Sequence, residues 1–229
     1  MILQRLKEAL FFWRRHLAAL FIVSAPFTLF GEVLQLLVGP VLLTDTDGAP
    51  IGFNALSVAG LLLIRPLAEG ALIVQMANIQ AGRPRGLLAC TLPALARYPF
   101  LLAVYFMLAL AMSVGWMLLV FPAFWIYTRL CFAPFRLMLR GEGPLASLQS
   151  GFQRSASCQW PLLLTLLLSV FVVFSGAVLV NGLVIGLLGE NAGTLVVTGL
   201  VSGLLATLVN VVAFRFWVLA DADSTAARD

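Results

Sequence analysis

Charge is scarce in this chain: 10% of the residues are charged and 62% are hydrophobic, whereas a soluble domain has about a quarter charged and near half apolar. A soluble fold of 229 residues could not hide that much apolar surface. Histidine occurs once, at His16, and its nearest acid in the sequence is Glu8, two helical turns back, which leaves a histidine-based acid and base site without a partner. Cysteine occurs three times, at Cys90, Cys131 and Cys158. An odd count with no C-x-x-C pair offers neither a disulfide framework nor a zinc site, so the thiols read as small, reduced packing groups. Also missing are the G-x-x-x-x-G-K-[ST] phosphate loop, the H-E-x-x-H zinc helix and the G-x-S-x-G nucleophile turn. These absences predict a non-enzymatic protein with no catalytic residue, no metal and no cofactor.

What the chain does have is long apolar runs. A helix that crosses a bilayer needs roughly 20 mainly apolar residues, and such runs lie at 17–40, 54–77, 99–120, 122–139, 160–188 and 194–220. The stretches between them are too short to fold as separate soluble cores. The expected fold is therefore all-α: a polytopic membrane helix bundle of six transmembrane helices in a single membrane domain over 1–229. The third and fourth runs are continuous from 99 to 139 and are interrupted by Phe121-Pro122. Pro122 lacks a backbone donor and disfavours helix at the residue before it, which predicts a tight turn there. No sequence repeat is evident.

A net charge of +4 and a pI near 9.4 would suggest nucleic acid as the partner of a soluble chain, but the placement of the charges argues otherwise. Twelve of the fourteen basic residues, from Arg5, Lys7, Arg14 and Arg15 through Arg83, Arg85, Arg97, Arg136, Arg140, Arg154 and Arg215 to Arg228, fall in the intervals that would share one side. The opposite intervals, 41–53, 121–122 and 189–193, contain none. By the positive-inside rule both termini are cytoplasmic, and no nucleic-acid partner is implied. The basic start ahead of an apolar run has no small-residue cleavage site, so the first run reads as a retained span.

Residues 1–15 place Ile2, Leu3, Leu6, Leu10 and Trp13 at helical spacing, with Gln4, Arg5, Lys7, Glu8 and Arg14 facing away. That is the pattern of an interfacial helix lying along the cytoplasmic surface. Two further interfacial segments are expected. One, at 86–98, carries Leu87, Leu88, Leu92 and Leu95; the other, at 144–157, sets Leu145, Leu148 and Phe152 opposite Gln149, Gln153 and Arg154.

The stretch VFPAFWIYTRLCFAPFRLMLRGEGPLASLQSGFQRS combines a proline turn at Pro122, a span ending near Pro134, and a glycine-containing loop leading to an Ala-x-x-x-Ser helix at Ala146 and Ser150. QMANIQAGRPRG precedes it, a glycine and arginine loop leaving a span. Over roughly residues 70 to 160 this pattern resembles the YciC-like family of bacterial inner-membrane proteins, and it is similar to the membrane domain attached to some glycerophosphodiester phosphodiesterases. The resemblance implies a six-helix, multi-pass protein of the bacterial inner (cytoplasmic) membrane. It carries over no catalytic residue, because the phosphodiester chemistry of the second group resides in a soluble barrel that this chain lacks.

Charges within spans are rare and mark candidate sites. Glu32 lies in the first run, Arg65 and Glu69 in the second and Arg129 in the fourth. At about 1.5 Å of rise per residue, Glu32, Arg65 and Arg129 come out roughly 10 to 16 Å below the periplasmic helix ends, where they can meet at one depth. Two readings stand: an ion-pair network that fixes helix registration, or a polar cavity that takes a headgroup, ion or proton.

Gly182 and Gly186 in the fifth run and Gly199 and Gly203 in the sixth form G-x-x-x-G motifs, which let helix backbones approach closely. They serve either packing of the fifth helix on the sixth or self-association and binding of a protein partner. Arg83, Arg85, Arg97, Arg140 and Arg154 are candidate contacts for anionic lipid headgroups, or act only as topology determinants. The aromatic residues Phe11, Phe12, Trp13, Tyr98, Phe100, Trp125, Tyr127, Trp160 and Trp217 read as interfacial belts.

Two functions follow. The first is a non-enzymatic membrane component that binds lipid or an envelope partner. The second is a small transporter or channel that uses the intramembrane charges. A polar path through both leaflets favours transport, and a cavity open sideways to one leaflet favours lipid handling.

Overall fold

Helices end in this chain where glycine, proline or a capping side chain makes ending favourable. In the computed structural model, which describes residues 2–45, 49–118, 120–189 and 191–226, the element order is α1 (Ile2–Arg15), α2 (Leu17–Val38), strands β1 (Leu42–Thr44) and β2 (Pro50–Phe53), α3 (Ala55–Gln80), α4 (Leu87–Ala96), α5 (Tyr98–Leu118), α6 (Val120–Leu130), α7 (Ala133–Phe135) running into a π-helical turn (Arg136–Arg140), α8 (Pro144–Arg154) with a 3-10 turn (Ser155–Cys158), α9 (Gln159–Leu188) and α10 (Ala192–Ala226). Arg228 and Glu190 lie outside the described residues.

Among the described residues five helices are long and apolar enough to cross a membrane: α2, α3, α5, α9 and α10. Large apolar side chains along them, such as Leu29, Leu62, Phe106, Phe171 and Leu183, face outward. In water that surface would be costly; in hydrocarbon it is neutral. With 35 residues, α10 is about 50 Å long, longer than the roughly 30 Å hydrocarbon core of a bilayer.

The expected fourth helix, 122–139, is not one helix. α6 holds 11 residues, too few to cross a membrane alone, and the chain then turns at Cys131-Phe132 before α7. Phe121 and Pro122 lie within α6 and not in a turn, and Leu119, between α5 and α6, lies outside the described residues. Pro122 sits instead in the first turn of α6, where its missing N–H has no helical acceptor to lose. The broken segment still runs back the length of α5. Arg97, which ends α4 just before α5 starts, donates from Nη1 to the carbonyls of Leu137 at 2.5 Å and Met138 at 3.0 Å.

Between α2 and α3 the structure has a short antiparallel hairpin of β1 and β2 where the sequence suggested only a loop. Its helical flanks are locked by Asn54. The side-chain oxygen accepts from the amides of Leu56 and Ser57, and the side-chain nitrogen donates to the Val38 carbonyl at 2.9 Å. One residue thus caps the start of α3 and satisfies the end of α2.

The architecture also contains a repeat that the sequence conceals. Three times a short helix precedes a pair of long segments: α1 before α2 and α3, α4 before α5 and the α6–α7 segment, and α8 before α9 and α10. Each short helix ends in or at arginine, at Arg14 and Arg15, Arg97 and Arg154. The trace left in the sequence is small, Tyr98-Pro99-Phe100-Leu101-Leu102 against Trp160-Pro161-Leu162-Leu163-Leu164.

The ends of these units gather on one end of the bundle. Arg140 and Arg154 both pair with Asp221 of α10, and Arg215 of α10 reaches Gln80 at the end of α3 (3.2 Å) and lies 5.8 Å from the Phe12 ring of α1. Part of the apolar face of α1 packs on α9 and α10: Leu6 and Ala9 are buried and Trp13 donates to Thr207 at 2.9 Å, while Leu3 and Phe11 stay exposed. Burial against helices saves that face from water as well as lipid would.

Candidate functional site

The second long segments of the three units, α3, α6–α7 and α10, converge, and the charges sit between them. Arg65 and Glu69 are four residues apart on α3 and therefore share a face. Arg65 Nε lies 3.9 Å from Glu69 Oε1, and the two side chains are 73% and 18% exposed. That contact is long and single, so it leaves the terminal nitrogens of the guanidinium fork unengaged. α10 brings the Asn210 amide toward the Glu69 carboxylate.

Two cavities meet at this trio. One of about 60 Å³ has Arg65, Glu69 and Asn210 at its edge, with the hydroxyl-bearing Tyr105 of α5 and Tyr127 of α6. The other, about 300 Å³, lies between α2, α3 and α10, with Ser24, Thr28 and Thr207 beside the same three residues. Against its edge, sharing Ile64, runs an apolar groove of about 240 Å³ lined by Phe30, Leu63, Leu67 and Leu95. The arrangement therefore offers one cation, one anion and neutral donors and acceptors in a shared space, with a mainly apolar groove next to it. Among the described residues no group of three or more His, Cys, Asp or Glu side chains comes together.

Not all of the expected polar cluster assembles. Among the described residues no ion pair joins Glu32 or Arg129 to Arg65 and Glu69. Glu32 lies against α10, where a Cβ added at Gly199 would fall on its carboxylate. One turn away, a Cβ at Gly203 would fall on the Thr28 side chain. The small residues of α10 thus admit α2, not α9. α9 packs on α10, as one of the two readings of the motifs expects, but Gly182 and Gly186 face open space and take no part in that contact.

Arg129 turns the other way. It is buried, its guanidinium carbon 3.9 Å from the Phe152 ring centre and 5.9 Å from that of Trp125, and its Nη1 reaches Gln159 Oε1 at 3.5 Å. Arg129 lies in the last turn of α6, not in the middle of one long helix, so its depth could not be read from the apolar run alone.

The proposed headgroup arginines divide as well. Arg97 caps the carbonyls of the π-helical turn, and Arg140 and Arg154 are held by Asp221. Arg83 and Arg85 are exposed, next to α4, whose Leu88, Leu92 and Leu95 are exposed along one stripe.

Beside them stands a tighter centre that the sequence did not single out. Arg136 grips Glu142 with both Nε (2.9 Å) and Nη2, and Ser150 accepts from Arg136 Nε while donating to Glu142 at 2.5 Å. Burial acts against the Glu142 charge, yet the hydrogen bonds from Arg136 and Ser150 outweigh it and hold this carboxyl below its usual range.

Several aromatics assigned to belts lie inside. Tyr127 lines the central cavity, Tyr98 donates to the Leu63 carbonyl at 2.8 Å, and Trp217 stacks with Phe135 and Phe214. Tyr105 and Asn210 were not foreseen as site residues at all. A lone asparagine in the apolar run 194–220 was the available signal. Comparison with protein-family models, with curated proteins and with solved structures returned no match.

Proposed function

We propose that this chain crosses a bacterial inner membrane six times, with both termini on the basic, cytoplasmic side, and binds an amphiphile at Arg65, Glu69 and Asn210 without catalysing a reaction. The return of residues 120–138 to Arg97 supports a fourth crossing made of a broken helix, because that stretch covers the same depth as α5. Irregular backbone at membrane depth is tolerated when it is buried in protein, and residues 131–138 are all buried. The sorting of twelve basic residues to one side and the resemblance of residues 70 to 160 to YciC-like proteins favour that orientation and membrane.

The observation that carries the binding reading is that a charged cavity and an apolar groove share Ile64 as a lining residue. A headgroup needs the first and a chain needs the second. Binding is favoured over passage because the bundle closes below the pair: Ile73, Met76, Phe135, Ala213 and Phe214 are all buried there.

The test is mass spectrometry of molecules that co-purify after mild extraction. Wild type is expected to carry an amphiphile at fixed stoichiometry, and Arg65→Ala to lose it while eluting as the same species. Equal amphiphile content in the two proteins would reject the site.

A further inference from the structure

Resting on that binding reading, we infer that the ligand is zwitterionic: a phosphodiester carrying a primary ammonium, as in an aminophospholipid headgroup. Among the described residues Arg65 and Glu69 are the only charged side chains lining either cavity, so the site has one charge of each sign. A purely anionic ligand would satisfy Arg65 but set its own charge beside Glu69. A purely cationic one would satisfy Glu69 and face Arg65. Either leaves one of the two charges without a partner of opposite sign, so it binds less well than a ligand that answers both. A ligand with both charges on a short tether replaces one loose contact of 3.9 Å with two charge-assisted hydrogen-bonded pairs.

The neutral groups fit the same chemistry. Tyr105 and Tyr127 bring hydroxyl donors to the smaller cavity, and Asn210, common to both cavities, has an amide oxygen for an ammonium beside Glu69. A primary ammonium has N–H groups to give to Glu69 and Asn210, whereas a quaternary ammonium has none. The groove that begins at Ile64 then takes an acyl chain. The recognised chemistry would be shared by a lipid and by its deacylated, water-soluble headgroup, and the apolar groove argues for the lipid.

The experiment is native mass spectrometry of the full chain in detergent with phosphatidylethanolamine, phosphatidylglycerol and phosphatidylcholine, and with glycerophosphoethanolamine as a soluble competitor. Wild type is expected to prefer phosphatidylethanolamine by about tenfold or more over the other two lipids. Glu69→Gln is expected to reverse the preference toward phosphatidylglycerol, a gain that a merely misfolded variant cannot show. Arg65→Gln is expected to lose both. Wild type preferring phosphatidylglycerol or phosphatidylcholine, with Arg65 required, would overturn the zwitterion and leave the binding site standing. Full displacement of the lipid by glycerophosphoethanolamine would keep the zwitterionic chemistry and overturn the lipid. Binding of all three lipids unchanged by either substitution would overturn the site itself.

Discussion

Arg65 and Arg136 are the same side chain put to opposite uses. Arg136 is 8% exposed, its fork closed on Glu142 and its Nε shared with Ser150. Arg65 is 73% exposed, with one carboxylate at 3.9 Å. A guanidinium has five donors in fixed geometry; the first arginine spends several of them on its own chain, and the second keeps them for something else. The difference teaches that intramembrane charge and structural charge need not coincide. The arginine best placed to hold this fold together opens the π-helical turn, and the one in the apolar run of α3 contributes little as a structural element.

The contrast breaks most visibly at Arg136. Replacing it by alanine leaves Glu142 and Ser150 half-buried without their donor and frees the π-helical turn, the situation in which loss of one partner costs about 3–5 kcal/mol. Thermal unfolding in detergent, followed by tryptophan fluorescence, is expected to show a large drop in Tm for Arg136→Ala. A shift no larger than that of an exposed arginine would reduce the Arg136 centre to an ordinary surface pair.

A second measurement sharpens the comparison from the cavity side. Gly203 lines the larger cavity and is approached by Thr28, so Gly203→Val is expected to overpack the contact of α10 with α2 by about 1–3 kcal/mol and to reduce amphiphile content. Gly182→Val, facing open space, should stay within about 0.5 kcal/mol of wild type. Equal effects at the two glycines would mean that the close approach of α2 to α10 is not what fixes the cavity.

The hydrophobic runs made most of the fold legible. Four of the six expected spans, α2, α3, α5 and α9, have ends within a few residues of the apolar runs, because in hydrocarbon length and apolarity nearly suffice to specify a helix. α10 continues six residues past its run, to Ala226. The broken fourth segment was hidden because hydropathy does not register whether backbone hydrogen bonds are continuous; Pro122 and Pro134 marked trouble without saying where the chain would turn. The pairing of Arg65 with Glu69 followed from their spacing. The separation of Arg129 and Glu32 did not, since spacing gives depth along a helix and not azimuth around the bundle. Tyr105, Tyr127 and Asn210 escaped notice as site residues for the same reason: each comes from a different helix, and only convergence of α3, α5, α6 and α10 brings them to one cavity.

Acid gives a smaller effect with a defined sign. The Glu142 carboxyl is held below its ordinary value of 4.5, so its contribution to stability is complete above about pH 4.5 and is lost as pH falls through the lower, folded value. Wild type in detergent is therefore expected to lose thermal stability below that pH. Glu142→Gln, which removes the titrating group while keeping the shape, should start less stable and lose less on acidification. Parallel pH profiles for the two proteins would show that Glu142 is not the group responsible.

The smallest expected effect completes the contrast. Arg65→Ala removes an exposed side chain whose one ion-pair contact is long, and such pairs contribute about 0–1 kcal/mol, so its thermal stability without added lipid should nearly match that of wild type. Added lipid should then separate them: a ligand that binds only the folded state raises stability with its concentration, so wild type gains and Arg65→Ala does not. A fall in lipid-free stability as deep as that of Arg136→Ala would make Arg65 a second structural arginine, and the cavity around it a packing defect and not a binding site.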